Sequence, residues 1–166
     1  MRRATIADAG KLALVGAASF LETFANDHPG DATVEFIRTY HAESAWTATL
    51  ARSDAAVWIA EEVGGCPIGY ALLDAASSPG TTPDDAELKR IYVLSKWHGT
   101  GIGRALFDAA QFEARARRAA RLVLSVYTRN WRAIRFYEKQ GFIVIGEATF
   151  AEFPVEFADN IMAKPL

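Results

Sequence analysis

Hydrophobic and polar positions along the first half of the chain predict strands and helices in succession. A short strand at about residues 2–6 precedes a helix whose apolar residues recur at helical spacing. The recurring residues are Leu14, Ala17, Ala18, Leu21 and Phe24. A second helical region follows at about residues 32–52. Residues 57–60 and 68–73 then predict a β-hairpin that turns at Gly64-Gly65.

The second half of the chain repeats the order strand, turn, helix. Strands are expected at residues 87–94, 122–126, 142–145 and about 156–163. Helices are expected at about residues 102–119 and from Asn130 to Gln140, with Gly141 as a C-terminal cap. The longer helix has apolar residues at positions 102, 105, 106, 109, 112, 116 and 120, which predicts its buried face. Hairpins followed by strand–helix units predict a mixed α/β sheet.

Length and composition are those of an ordinary globular domain. The 166 residues are 51% hydrophobic and 23% charged, so one folded domain over residues 1–166 is expected. A formal net charge of −2 argues against a dedicated nucleic-acid binder. No apolar run approaches the ~18 residues of a membrane span. The single cysteine, Cys66, suits a reducing compartment, so we predict a cytoplasmic protein that binds neither nucleic acid nor membrane.

The strongest chemical signal is the turn before the longer helix, His98-Gly99-Thr100-Gly101-Ile102-Gly103-Arg104. Its glycines allow a tight backbone turn, and the free N–H groups that start the following helix can bind a phosphate or pyrophosphate. The turn is not a dinucleotide fingerprint, because Arg104 stands where the third glycine would be, and it is not a P-loop. A turn that only connects a strand to a helix is the alternative interpretation.

A second motif lies in the helix that begins at Asn130. It contains Phe136, Tyr137 and Lys139 and ends at Gly141. Asn130 and Gly141 are also ordinary helix-capping residues, and the aromatic side chains fit a hydrophobic core. Alone, this motif is interpreted as structural. The three histidines and one cysteine of the chain match no metal-ligand spacing, so no metal site is expected.

Together, the two motifs and their order resemble the GNAT family of acyl-CoA-dependent N-acetyltransferases. The resemblance extends over essentially the whole chain and is most specific between Glu87 and Phe142. It implies a mostly antiparallel central sheet with one splayed parallel pair and flanking helices. Residues 87–93 and 159–166 look most similar to the bacterial spermidine/spermine acetyltransferase branch.

The resemblance also implies a binding site for acetyl-CoA as co-substrate. In the family, the glycine turn cradles the pyrophosphate, the preceding strand bonds the pantetheine chain through its backbone, and a tyrosine lies beside the thioester sulfur. The implied cofactor-binding residues are Ile91, Tyr92, Val93, His98, Gly99, Thr100, Gly101, Ile102, Gly103, Arg104, Asn130, Tyr137 and Lys139. His98 stands where the family has Gln or Arg, which leaves backbone binding unaffected.

The implied reaction requires proton transfers around the thioester. The acceptor amine must lose a proton, since a lysine-like amine has a pKa of about 10.4, and Glu87 or a water relay is expected to accept it. Tyr137 is expected to hydrogen-bond or protonate the leaving thiolate. The suspected acceptor of this direct transfer is a polyamine. The alternatives are a peptide amine, a drug amine or a non-catalytic acyl-CoA-binding regulator, and a homodimer is one alternative for the oligomeric state.

Overall fold

The structure is a computed structural model of the chain and describes residues 1–150 and 157–166. The strands are Arg2–Arg3 (β1), Ala56–Glu61 (β2), Pro67–Ala75 (β3), Asp85–Val93 (β4), Arg121–Tyr127 (β5), Ile143–Phe150 (β6) and Phe157–Pro165 (β7). The helices are Ala9–Phe24 (α1), Gly30–Tyr40 (α2), Glu43–Ala51 (α3), Ile102–Ala116 (α4) and Trp131–Lys139 (α5). Short 3-10 turns lie at Ile6–Asp8 and Ser95–Trp97.

The strands form one mixed sheet in the order β1-β2-β3-β4-β5-β7-β6. Strands β4 and β5 pair in parallel, with Asp85 opposite Arg121, Ala86 opposite Leu122 and Glu87 opposite Val123. The β1–β2, β2–β3, β5–β7 and β6–β7 pairs are antiparallel. The predicted mixed sheet, mostly antiparallel with one parallel pair and flanked by helices, is therefore confirmed.

The start of the chain differs from the prediction in two respects. The strand expected at residues 2–6 ends at Arg3, because the backbone N–H and the hydroxyl of Thr5 donate to Asp8 at 2.8 and 3.2 Å and close a 3-10 turn. The predicted buried face of α1 is also wrong, since Leu14 and Leu21 are exposed. The buried face instead includes two small residues, Gly16 and Ser19, which an apolar count overlooks.

The two other helical predictions also needed correction. The region at 32–52 is two helices, because α2 ends at Tyr40 and His41 turns inward and is 2% exposed. Helix α4 ends at Ala116 and not at residue 119, since Arg118 adopts a left-handed conformation with φ +59°. Phe112 of its predicted buried face is 74% exposed. The buried residues are Leu106, Phe107, Ala110 and Ala114.

The chain divides into two compact units, each with its own packing. Unit 1 comprises Met1–Leu73 and Arg90–Ala110, and unit 2 comprises Asp74–Lys89 and Gln111–Leu166. A buried core of unit 1 includes Leu12, Val15, Trp46, Ile59 and Tyr70. A buried cluster of unit 2 contains Val123, Ile161 and Ala163, with Ala148 packed against it. That residues 1–166 act as one domain stays a prediction.

Buried polar rings gather in the core of unit 1. The ring centroid of Trp46 lies 5.1 Å from that of Tyr70 and 6.2 Å from that of His41. Among the described residues, the Trp46 indole N–H, the Tyr70 hydroxyl and both His41 ring nitrogens have no hydrogen-bond partner. Burial, assisted by the charge of Arg90, lowers the pKa of His41 to about 3. His41 is therefore a neutral packing residue near pH 7.

Gly16 is the position that admits the His41 ring. A Cβ added there would lie 2.2 Å from His41 Nδ1. An ordinary glycine-to-alanine change inside a helix raises the free energy of unfolding by up to about 1 kcal/mol. A net decrease would therefore be caused by the clash with His41. We expect Gly16→Ala to lower the free energy of unfolding by about 1–3 kcal/mol, as overpacking does.

Chemical denaturation compares Gly16→Ala with Gly30→Ala in α2. A Cβ at Gly30 would meet nothing within 4 Å, so this control should unfold at or slightly above the wild-type midpoint. Equal stability of the two variants would contradict the close packing of His41 against α1.

Candidate active site

The turn between β4 and α4 has the backbone that its glycines allow. Gly99 and Gly101 have φ values of +80° and +89°, a region that L side chains rarely adopt. A Cβ added at either position would meet no atom within 4 Å. The glycines are thus required by backbone conformation and leave open space beside the turn. Helix α4 begins at Ile102, and the first N–H groups of a helix lack intrahelical partners, so the turn fits a pyrophosphate group.

Side chains of the turn are anchored to the protein. His98 Nε2 lies 2.7 Å from the Val93 carbonyl oxygen, to which it donates when protonated at that nitrogen. The Thr100 hydroxyl donates to the Trp97 carbonyl at 2.7 Å. Arg104 pairs with Asp108 one helical turn further on, at 2.8 Å. His98 in this conformation fastens the turn to the end of β4.

The end of β4 comes close to β3 at one glycine. A Cβ added at Gly69 would lie 2.7 Å from the Tyr92 carbonyl oxygen, so this approach requires a glycine. The Leu94 N–H donates to the Ile68 carbonyl at 2.9 Å. Ile91, Tyr92 and Val93 are each half-buried. Within unit 1, the end of β4 and the glycine turn therefore lie together.

The helix motif of unit 2 has the predicted caps. The Asn130 side-chain oxygen accepts a hydrogen bond from the Ala133 N–H at 3.1 Å, which caps α5. Gly141 follows the helix with φ +88°. Tyr137 is 7% exposed, and its ring lies 5.4 Å from Phe136 and 5.7 Å from Phe142. Lys139 is exposed at the end of α5.

Glu87 is buried at the last parallel pair of β4 and β5. Its carboxylate accepts hydrogen bonds from the backbone N–H groups of Ser77 and Ser78 at 2.8 and 3.1 Å, and from the Ser78 hydroxyl at 2.8 Å. Lys89 pairs with it at 2.8 Å. Burial alone would raise the pKa of Glu87, but Lys89 and these hydrogen bonds outweigh burial and lower it. Glu87 is therefore ionised near pH 7 and also holds the loop before β4.

One polar pair in unit 2 was missed by the sequence motifs. The Ser125 hydroxyl donates to Asp159 at 2.7 Å across β5 and β7. The available signal was a serine inside the apolar strand Leu122-Val123-Leu124-Ser125-Val126. Nothing in the sequence alone pairs it with a residue 34 positions later.

The described residues contain neither a cluster of metal-binding side chains nor a helix suited to a membrane. Within residues 1–150 and 157–166, His, Cys, Asp and Glu side chains do not gather into a group of three that could hold a metal ion. In the same part of the chain, none of the helices combines the length and the apolar character that crossing a membrane requires.

Comparison with known proteins gives the family. The model of the acetyltransferase (GNAT) family matches residues 17–142. An uncharacterized N-acetyltransferase of Mycobacterium tuberculosis is 35% identical over 99 residues, and the match spans 60% of this chain and 60% of that relative. The chain therefore belongs to the GNAT family of acetyltransferases, as its motifs predicted.

Solved structures agree in fold. Ribosomal-protein-alanine N-acetyltransferase from Brucella melitensis is 27% identical with a TM-score of 0.75, and the match covers 99% of this chain and 98% of that one. PaiA N-acetyltransferase from Thermoplasma acidophilum, solved with coenzyme A, is 22% identical with a TM-score of 0.77 and covers 99% and 97%. The second likeness concerns the fold alone. These comparisons support the family and give no support to the spermidine/spermine branch.

Proposed function

We propose that this protein transfers an acetyl group from acetyl-CoA to a primary amine by direct attack of the amine. The proposal depends chiefly on the turn at residues 98–103, whose positive-φ glycines leave its backbone open at the start of α4. Backbone N–H groups in this arrangement bind phosphates without needing a particular side chain. Membership of the GNAT family supports the same assignment.

In this proposal, acetyl-CoA supplies the activated acetyl group, and backbone groups of the glycine turn and of β4 bind the rest of the molecule. The N–H groups of Gly99, Thr100, Gly101, Ile102 and Gly103 bind the pyrophosphate. Backbone groups of residues 91–93 bond the pantetheine as an added strand. Support for this role is that only three β4–β5 pairs form, although β4 continues to Val93. Arg104 can reach a phosphate only by sharing or leaving its contact with Asp108.

Membership of the GNAT family supports further roles for Tyr137 and Lys139 of α5 and for its N-cap, Asn130. Asn130 contacts the cofactor, and exposed Lys139 binds its phosphates. Tyr137 hydrogen-bonds the leaving thiolate. A thiol has an ordinary pKa of about 8.5 and a tyrosine about 10, so complete proton transfer costs about 2 kcal/mol. Hydrogen bonding is therefore the main contribution of Tyr137. For the amine proton, Glu87 is ionised as a base must be, but its lowered pKa weakens it as an acceptor.

The acceptor is proposed as a primary amine, and a polyamine is one member of that class. A polyamine needs carboxylates near the reacting amine, and α2 presents exposed Asp31 and Glu35. Glu22 is engaged, since it accepts hydrogen bonds from the Ser95 N–H and hydroxyl at 2.8 and 3.1 Å. Glu152 and Glu156, two further acidic residues, lie outside the described residues. A cytoplasmic location and a homodimer stay predictions of this proposal.

One assay tests the proposal and the acceptor class together. Release of CoA thiol from acetyl-CoA is measured with spermidine, spermine, peptides with free N-termini, lysine peptides and aminoglycosides. Polyamine turnover with KM rising as salt is added would support a polycation site, since the Debye length falls from about 10 Å at 0.1 M to about 3 Å at 1 M. Turnover of peptides alone would reject the polyamine. Acetyl-CoA binding without turnover of any amine would favour a regulator instead.

A further inference from the structure

A half-buried carboxylate on β7 is held in a defined position. Asp159 Oδ2 accepts a hydrogen bond from Ser125 Oγ on β5 at 2.7 Å. The β5–β7 register pairs Tyr127 with Asp159 and Ser125 with Ile161. Ser125 and Asp159 are therefore diagonal neighbours on one face of the sheet. The hydrogen bond keeps the carboxylate on that face.

The same face carries Glu87 at the end of the parallel pairing. Glu87 is opposite Val123 in the last of the three β4–β5 pairs. Ser125 lies two residues further along β5, about 7 Å away along the strand. Residues two apart in a strand share a face, so Glu87, Val123, Ser125 and Asp159 project from the same side. The Ser125–Asp159 pair thus follows the point at which β5 ceases to pair with β4, and beyond this same point the proposed function has β4 bond the pantetheine.

Asp159 differs electrostatically from Asp85 and Glu87, two buried carboxylates of unit 2. Asp85 and Glu87 each pair with a cation, Arg121 or Lys89, and the pKa of each is lowered. Among the described residues, Ser125 is the sole polar partner of the Asp159 side chain, and no cation pairs with it. Burial therefore raises the pKa of Asp159, although the Ser125 hydrogen bond opposes this.

The residues paired with Asp159 on the adjoining strands carry no positive charge. Tyr127 on β5 is its one titratable paired neighbour in the described sheet, and Ala148 is its partner on β6. Asp85 and Glu87 are the other carboxylates that β4 places on this face, and both are paired with a cation. A carboxylate with a raised pKa binds a proton more strongly than a cation-paired one, and in its ionised form it attracts an ammonium group. Both properties suit an acceptor amine that arrives protonated.

We propose that Asp159 accepts the proton that the acceptor ammonium must lose and that Ser125 positions this carboxylate, an inference that rests on the proposed function. The proton moves from the ammonium nitrogen to a carboxylate oxygen. The freed nitrogen lone pair forms the C–N bond, the C–S bond breaks, and its electron pair leaves with sulfur. A second N–H proton is transferred to the sulfur, and the proton on Asp159 passes to water.

The test is the pH dependence of kcat/KM for an amine that the wild-type protein acetylates. Asp159→Asn should lower kcat/KM by at least about 10²-fold, as loss of a general base does, and should abolish the acidic limb of the profile. Its acetyl-CoA affinity and Tm should stay at or above the wild-type values, since a half-buried charge without a cation partner is removed. Asp54→Asn, at an exposed carboxylate, is the matched control and should behave as wild type.

Ser125 variants separate positioning from mere packing. The Ser125 hydrogen bond lowers the pKa of Asp159, so Ser125→Ala should move the acidic limb to higher pH. Ser125→Thr, which keeps the hydroxyl, should restore the wild-type limb. A purely structural serine would change Tm without moving the limb.

Three results would overturn the inference, and they differ in what else they reject. A folded Asp159→Asn protein with wild-type kcat/KM and an intact acidic limb rejects the role of Asp159 and leaves the proposed function standing. Loss of the limb in Glu87→Gln but not in Asp159→Asn assigns the proton to Glu87. Absence of acetyl transfer by the wild-type protein to every amine in the panel rejects the inference and the proposed function together.

Discussion

Tyr137→Phe is expected to lower kcat by about 10²-fold, the smaller end of the range for losing one positioned proton donor. The smaller end applies because a thiolate leaves fairly well unaided. Tyr137 is 7% exposed and packs between Phe136 and Phe142, so removing only its hydroxyl should preserve the helix. An interaction made chiefly in the transition state affects kcat more than binding, so acetyl-CoA affinity should barely change.

Tyr40→Phe in α2 is the matched control, since it also removes a single tyrosine hydroxyl. Steady-state kinetics of both variants, under conditions where the chemical step limits turnover, give the comparison. A Tyr137→Phe protein with wild-type kcat would mean that Tyr137 serves only as a packing residue of α5.

Gly101→Val should lower acetyl-CoA affinity at least about tenfold, a loss of about 1.4 kcal/mol. Gly101 has φ +89°, which a β-branched residue cannot adopt without strain, and its open side is where we propose the pyrophosphate binds. His98→Ala should lower acetyl-CoA affinity by less, because backbone groups of the turn make most of the proposed contacts. Comparison of Gly101→Val with His98→Ala therefore separates binding by the backbone from binding by a side chain.

Calorimetric titration with acetyl-CoA measures these affinities. Gly64→Val in the β2–β3 turn is the control, since Gly64 also has open space at its Cβ position. Denaturation midpoints show whether each variant is folded. Unchanged affinity in folded Gly101→Val would remove the glycine turn from the cofactor site.

Features determined by local chemistry were predicted well from the sequence. The hairpin turns at Gly64-Gly65, where the Gly65 N–H donates to the Glu62 carbonyl at 2.8 Å and φ is +80°. Asn130 and Gly141 cap α5 as their residue types indicate. Each of these depends on a few neighbouring residues, so a short stretch of sequence contains the necessary information.

The buried faces of α1 and α4 could not be predicted in this way. Alanine is frequent in both helices, so more than one face has apolar spacing. The tertiary partner then decides, as when His41 packs on Gly16 and makes a glycine part of the buried face of α1. Phe112 shows the converse, a large apolar residue at helical spacing that the fold leaves exposed.

The candidate site also combines local features, which the sequence predicts, with long-range contacts, which it does not. The glycine turn is contiguous in sequence and was predicted from it. The partners of Glu87 come from a loop 9 and 10 residues earlier, and Ser125 meets Asp159 across strands 34 residues apart. Pairings of this kind depend on strand register, which a single sequence does not reveal. They alter the pKa of a carboxylate and hence its suitability as a base.

Titration of the wild-type protein with acetyl-CoA is the decisive measurement for the proposed cofactor site. We expect saturable binding to a single site within the concentrations typical of enzyme KM values, about 1 μM to 1 mM. We also expect the same protein to release CoA when a suitable amine is added. Absence of saturable binding over that range, in protein shown to be folded, would mean that acetyl-CoA is not its co-substrate.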